Sequence, residues 1–249
     1  MSTTLLVIQH VEQEGPDLIA DLARERRMPI DLRRPSLGDP FPDPDACRNT
    51  IALVLGGPMG VNDRLQPGMD WLQRELDWLT DWHQRQKPVL GICLGAQLLA
   101  VAAGGRVEQL RVGQPAHPLK EVGFGAIHWV IDPTRESLLQ GLNPSETVLH
   151  WHGDRIRLPS DATLLGSSLY CKEQVFRIQG HAIGLQCHLE ISDSSLENWI
   201  TADRSYVVNA MGANGPDQLK EDWDRLSAGL KTSGRKLFNN ALDLLIAHG

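Results

Sequence analysis

The sequence lacks any apolar run near the roughly 18 residues needed to cross a bilayer, so a membrane-spanning helix is not expected. It also lacks a basic tract: the longest is the short RERR at 24–27, in a chain of net charge −7. Nucleic-acid binding draws on a positive field, so no nucleic-acid partner is expected. No CxxC pair occurs among the four cysteines, at 47, 93, 171 and 187. That excludes a zinc framework of the usual spacing and leaves reduced thiols as the expectation. The start, MSTTLLVIQHVEQEG, has neither the basic opening nor the apolar core of a signal peptide, and a cytoplasmic protein is expected. There is no internal repeat, low-complexity tract or G-x-x-x-x-G-K-[ST] phosphate loop. His and acidic residues recur at ligand spacing only in HWH and HLE, so no metal and no cofactor are expected.

What is present is alternation. Apolar strand-type runs at 4–10, 30–35, 49–58 and 88–92 are separated by helical periodicities at 16–28, 69–86 and 94–105. In the helix over 69–86, Trp71, Leu72, Leu76 and Leu79 are the expected inward face. Strand–helix alternation predicts an α/β three-layer sandwich with a mostly parallel central sheet. Shorter strands are expected around 126–131, 146–152, 163–168, 174–180 and 182–188. Residues 191–249 turn helical and end in an apolar stripe, Leu237, Ala241 and Leu244, flanked by Phe238, Leu242 and Leu245. The simplest organisation is one domain over 1–249 with 191–249 as a helical extension.

The stretch PVLGICLGAQLL at 88–99 poses the chemical question. Gly91 and Gly95 flank Cys93 two residues away on each side, at the tip of a strand that passes into a helix. A nucleophile elbow needs this spacing, because the backbone folds back past both neighbours and leaves no room for side chains. The helix beginning at Leu94 offers N-terminal amides to an oxyanion, and its dipole favours a thiolate. The ordinary alternative is a buried cysteine whose glycines serve packing alone.

A thiol nucleophile needs a base, and the base needs an orienting group. In GLQCHLE at 184–190, an extended backbone would turn His188 and Glu190 to the same side. A second oxyanion donor is expected from the Gly-Gly-Pro turn at 56–58, since a glycine amide can approach a developing charge closely.

Taken in order, LVLGGPMG, PVLGICLGAQLLA, LHWHGD and GLQCHLE resemble the motif set of the class I (triad) glutamine amidotransferases. The likeness is strongest to stand-alone members similar to the amidotransferase domain of GMP synthetase. It covers about 49–191 and implies a flavodoxin-like fold. It further implies Cys93 as nucleophile, His188 as base and Glu190 as its orienter, with Gly57 and Leu94 giving the oxyanion-hole amides. Gln97 would contact the substrate glutamine. His152 and Asp154 of WHGD would line its pocket, or else form a polar turn in which Asp154 caps local amides. His150 and Trp151 are read as packing, and Cys187 as filling core space. Two departures stand out: Ala96 replaces a frequent histidine, and the usual Q-F-H-P-E reads Gln186-Cys187-His188-Leu189-Glu190. Neither removes a group the mechanism needs.

Three functions follow from this reading. The first is hydrolysis of the glutamine side-chain amide, with ammonia either passed to an unknown acceptor on a separate synthetase partner or simply released. The second is a γ-glutamyl peptidase or hydrolase acting on larger γ-glutamyl amides. The third is a silent binding module that keeps the fold. The C-terminal stripe either packs on the parent domain or docks a partner, a synthetase or a second copy in a homodimer.

Overall fold

A computed structural model describes residues 2–249. The strands are β1 Thr4–Ile8, β2 Ile30–Arg33, β3 Thr50–Val54, β4 Val89–Ile92, β5 Arg106–Gln109, β6 Arg111–Val112, β7 His117–Pro118, β8 Glu121–Trp129, β9 Ser145–His152, β10 Asp154–Arg157, β11 Ala162–Ser167, β12 Val175–Ile178 and β13 Ala182–Leu185. The helices are α1 Asp17–Glu25, α2 Asp70–Gln84, α3 Leu94–Ala102, α4 Asp193–Ala202, α5 Arg204–Met211 and α6 Gly215–His248.

Nine strands form the central sheet in the order β2-β1-β3-β4-β13-β12-β11-β8-β9. From β2 to β13 the neighbours run parallel. From β13 to β9 they run antiparallel. The sheet is therefore mixed, a parallel half extended by an antiparallel one. β3 and β4 bury every residue, as strands covered on both faces must.

Helices cover the two faces. On one, α1 and the C-terminal half of α6 pack in a cluster with Leu5, Val7, Ile51 and Leu53. Leu237, Phe238, Ala241, Leu242 and Leu245 of the C-terminal stripe lie in this cluster, fully buried. The stripe is thus core of the parent fold. On the other face, α2 and α3 pack over Leu6, Ile8, Ala52 and Val54. Here Trp71 is only partly buried, whereas Trp78 and Trp82 of the same helix go fully inside. Trp82 anchors itself by donating Nε1–H to the Pro88 carbonyl at 3.0 Å. The inward stripe of α2 is therefore rotated towards residues 75, 78 and 82.

Strands β3, β4 and β13 are adjacent, parallel and in register, Val54 beside Gly91 and Ile92 beside Leu185. Their carboxyl ends release the chain at Gly56, Cys93 and His188. Open α/β sheets place ligand sites at this edge.

Candidate active site

Cys93 occupies the turn between β4 and α3 with φ +50° and ψ −107°, a backbone state that costs an L-residue on the order of 1–3 kcal/mol. The surroundings hold it there: Cys93 N–H donates to Leu185 O at 2.7 Å and Gly95 N–H to Leu55 O at 3.0 Å. A Cβ on Gly91 would sit 2.6 Å from the Gly95 carbonyl oxygen, and one on Gly95 would run into the Val54 carbonyl. Both flanking glycines are therefore required by backbone approach. The sulfur sits at the N-cap of α3, 8% exposed.

His188 lies beyond the end of β13, in irregular backbone. The expected strand over 182–188 stops at Leu185. Its backbone is fastened instead by a two-way bridge to Leu149, with N···O distances of 3.0 and 2.9 Å. The His188 Nδ1 is 2.6 Å from Glu190 Oε1, and the other carboxylate oxygen accepts from Leu189 N–H at 3.0 Å. Burial by itself would strip the His188 proton, but the Glu190 carboxylate and the Cys93 sulfur outweigh it and hold the ring's pKa well above its usual value. Trp199 meets the ring edge-on at 4.8 Å between centroids. Gly56 fits between the two groups: a Cβ there would be 3.5 Å from both Cys93 Cβ and His188 Cε1.

A cavity of about 380 Å³ opens over the sulfur, lined by Cys93, Leu94, Gly57, Gln97, His152, Asp154 and His188 among others. Gly57 and Leu94 find no backbone acceptor for their amides among the described residues. His152 directs Nδ1 to the Asp154 carbonyl at 2.8 Å. Glu190 stands behind His188.

Further groups surround the sulfur and the cavity. Gln186 donates from Nε2 to Cys93 Sγ at 3.6 Å, and its Oε1 accepts from Gln97 Nε2 at 3.0 Å. The Trp151 carbonyl oxygen is 4.0 Å from the sulfur, and its ring packs edge-on against Trp199. Glu14, from the loop after β1, lines the same wall. Burial pushes its carboxyl pKa up to about 7, against the pull of His188 and His10. Lys120 lies over the Tyr206 ring at 4.2 Å, and both line the cavity. Gln186 and Trp151 sit within the GLQCHLE and LHWHGD motifs, whereas Glu14, Lys120 and Tyr206 lie far apart along the chain with no local pattern to mark them. Cys187, as expected, is buried in the core, where its thiol pKa is pushed well up, chiefly by burial.

Beside the cavity, Glu121, His150 and His152 bring one potential ligand atom each within 4.8 Å of one another. The spacing of HWH hints at two of the three; Glu121 arrives from β8. Gln174 Nε2 bridges the Glu121 carboxylate at 2.9 Å and His152 Nε2 at 3.1 Å. Burial pushes the His150 pKa down to about 4.

Residues 18–205 match the family model "Glutamine amidotransferase class-I". The chain is 28% identical over 207 residues to the glutamine amidotransferase-like protein YfeJ of Salmonella typhimurium, covering 82% of this chain and 83% of that protein. It is 30% identical over 169 residues to a glutamine-hydrolysing GMP synthase of Streptococcus agalactiae. That match covers 67% of this chain but only 29% of the synthase. A crystal structure of a glutamine amidotransferase from Thermotoga maritima superposes with a TM-score of 0.82 at 27% identity, covering 98% and 99% of the two chains. The strand order, the elbow at the carboxyl edge and these matches agree, and the chain belongs to the class I glutamine amidotransferase family.

Proposed function

We propose that this protein hydrolyses the side-chain amide of glutamine by nucleophilic catalysis, with Cys93, His188 and Glu190 as its triad. The observation that carries the reading is that Cys93 and His188 line one cavity while Glu190 backs the His188 ring. Glu190 holds Nδ1 of His188 at 2.6 Å, and Gly56 lies between that ring and Cys93, a Cβ there being 3.5 Å from each. The family supports amide hydrolysis with transfer of ammonia in general.

In this mechanism the Cys93 sulfur attacks the amide carbonyl carbon, and the C–N bond breaks after a tetrahedral intermediate. The negative oxygen of that intermediate is held by the Gly57 and Leu94 amides. His188 gives its proton to the departing nitrogen, which leaves as ammonia. The ring then takes a proton from water as water attacks the thioester, and glutamate is released. Glu190 keeps the ring aimed and stabilises its charged form throughout. One oxyanion donor is worth roughly 3 kcal/mol in comparable sites. Gln97, His152 and Asp154 line the cavity and would orient the substrate.

Glutamate release by the wild type and by Cys93→Ala tests this. Loss of release in the variant is expected; equal rates would sink the proposal.

The fate of the ammonia sets the finer function. A synthetase partner would accept it, as the length of the GMP synthases beyond the matched part suggests. A second reading, a γ-glutamyl hydrolase, is favoured by the cavity of about 380 Å³, which is larger than a free amino acid fills. A panel of glutamine and γ-glutamyl peptides separates the two: a strong preference for peptides supports the hydrolase.

A further inference from the structure

His10 follows β1 and is 3% exposed. Its Nδ1 is 2.8 Å from the Gly56 carbonyl oxygen, and its Nε2 is 2.8 Å from Glu75 Oε1 in the middle of α2. Glu75 is fully buried, and its other oxygen has no partner among the described residues. An acidic residue inside an apolar helix face is costly unless its partner repays it. Burial alone would discharge His10, but Glu75 outweighs that and raises the ring's pKa. Both ring nitrogens face acceptor oxygens. Whether the extra proton sits on Nε2 or on Glu75, Nδ1 must carry a hydrogen and donate it to Gly56.

That bond bears directly on the oxyanion hole. The Gly56–Gly57 peptide is planar and trans, so its C=O and N–H point in opposite directions. Fixing the oxygen on the His10 side therefore fixes the Gly57 N–H on the other. Two consecutive glycines cannot hold this plane by themselves, since neither has a side chain to restrict its rotation. A Cβ at Gly57 would crowd both His10 Cβ and Leu94 Cδ2 at 3.1 Å, so a bulkier residue there would have to displace its neighbours.

We propose that His10, braced by Glu75, is a positioning residue whose Nδ1–H pins the Gly56 carbonyl and so aims the Gly57 amide at the oxyanion formed over Cys93. The proposal rests on the amide-hydrolysis reading above. His10 touches no substrate; it acts through one peptide plane.

Two crossed variants of the full-length protein test it. In His10→Asn the amide nitrogen falls near the Nδ1 position, reaching Gly56 but not Glu75. In His10→Gln it falls near the Nε2 position, reaching Glu75 but not Gly56. Each loses one buried hydrogen bond. The readouts are kcat and KM for glutamine hydrolysis, and the alkylation of Cys93 by iodoacetamide, a displacement that builds no oxyanion. His10→Gln should lower kcat by about 10²–10³-fold, the loss typical of one oxyanion donor, with KM within about threefold and alkylation unchanged. His10→Asn should retain a kcat at least about tenfold above it. Equal kcat in the two variants, or alkylation falling with kcat in His10→Gln, would overturn the proposal.

Should a variant not fold, the wild type serves. An aldehyde analogue of glutamine adds to the Cys93 sulfur as a hemithioacetal, placing an oxygen at the hole. The His10 imidazole N–H proton resonance should then shift; an unmoved resonance would overturn the proposal. If wild type and Cys93→Ala release glutamate alike, the underlying reading fails instead.

Discussion

The carboxylate of Glu190 lies 2.6 Å from Nδ1 of His188, which leaves Nε2 as the nitrogen available to the Cys93 sulfur. This contact fixes both the tautomer and the aim of the ring. In Glu190→Gln the amide can no longer stabilise the imidazolium and can present a donor to Nδ1. We expect kcat to fall by at least about 10²-fold, as when the orienting member of a catalytic triad is neutralised, with the melting temperature little changed. Steady-state kinetics beside a thermal melt check this; an active Glu190→Gln would remove the carboxylate from the mechanism.

Gln186 donates to the sulfur at 3.6 Å. A hydrogen bond to a charged group contributes roughly 1.5–3 kcal/mol. Gln186→Leu should therefore slow both glutamate release and iodoacetamide alkylation of Cys93, by about 10- to 100-fold. The parallel loss distinguishes it from the His10 variants, in which alkylation is expected to survive.

Gly95 packs α3 against the Val54 carbonyl with no room for a methyl group. Gly95→Ala must push the helix off β3, so a stability loss of about 3 kcal/mol or more is expected, at or above the upper end of ordinary overpacking. Denaturant titration measures it. A variant as stable as the wild type would mean the elbow is looser than its geometry indicates.

The Glu14 carboxyl, raised by burial to about 7 from its ordinary value of 4.5, binds a proton in the folded state that the unfolded chain has already released. Its contribution to stability is complete below pH 4.5 and is lost as pH rises through 7. Glu14→Gln removes that loss. The melting temperature of the variant relative to wild type should climb between pH 4.5 and 7 and stay level above about pH 8. A difference that does not vary with pH would show that Glu14 titrates normally.

Phe238 of α6 is fully buried among strand and helix residues of the parent fold. Phe238→Ala should cost about 3–5 kcal/mol. Light scattering on the folded variant should give the wild-type mass, because the stripe faces the core. A changed mass at intact stability would point to an interface.

The elements legible from sequence are those whose cause is local. Alternating periodicity placed β1 to β4, while the fifth parallel strand, β13, was one of the shorter strands expected further on, and the two glycines around Cys93 announced a turn whose geometry the fold reproduces. The pairing of His188 with Glu190 was readable for the same reason, since two positions separate them. Even so, the backbone there is irregular, pinned by Leu149 from a distant strand. Trp78 and Trp82 went unread as inward residues of α2 because periodicity defines a stripe but not its rotation. That rotation depends on what the helix meets.

What only the tertiary structure decided is the company these groups keep. His10 and Glu75 are 65 positions apart, and Gln186 and Cys93 are 93 apart. A polar residue inside an apolar pattern looks like an exposed one until a buried partner is seen beside it. By itself the chain determines which chemical groups are present and which turn holds Cys93. The packing of parallel strands at one edge decides which of those groups lie within hydrogen-bonding distance, because short-range interactions depend on separation in space, which chain order does not encode.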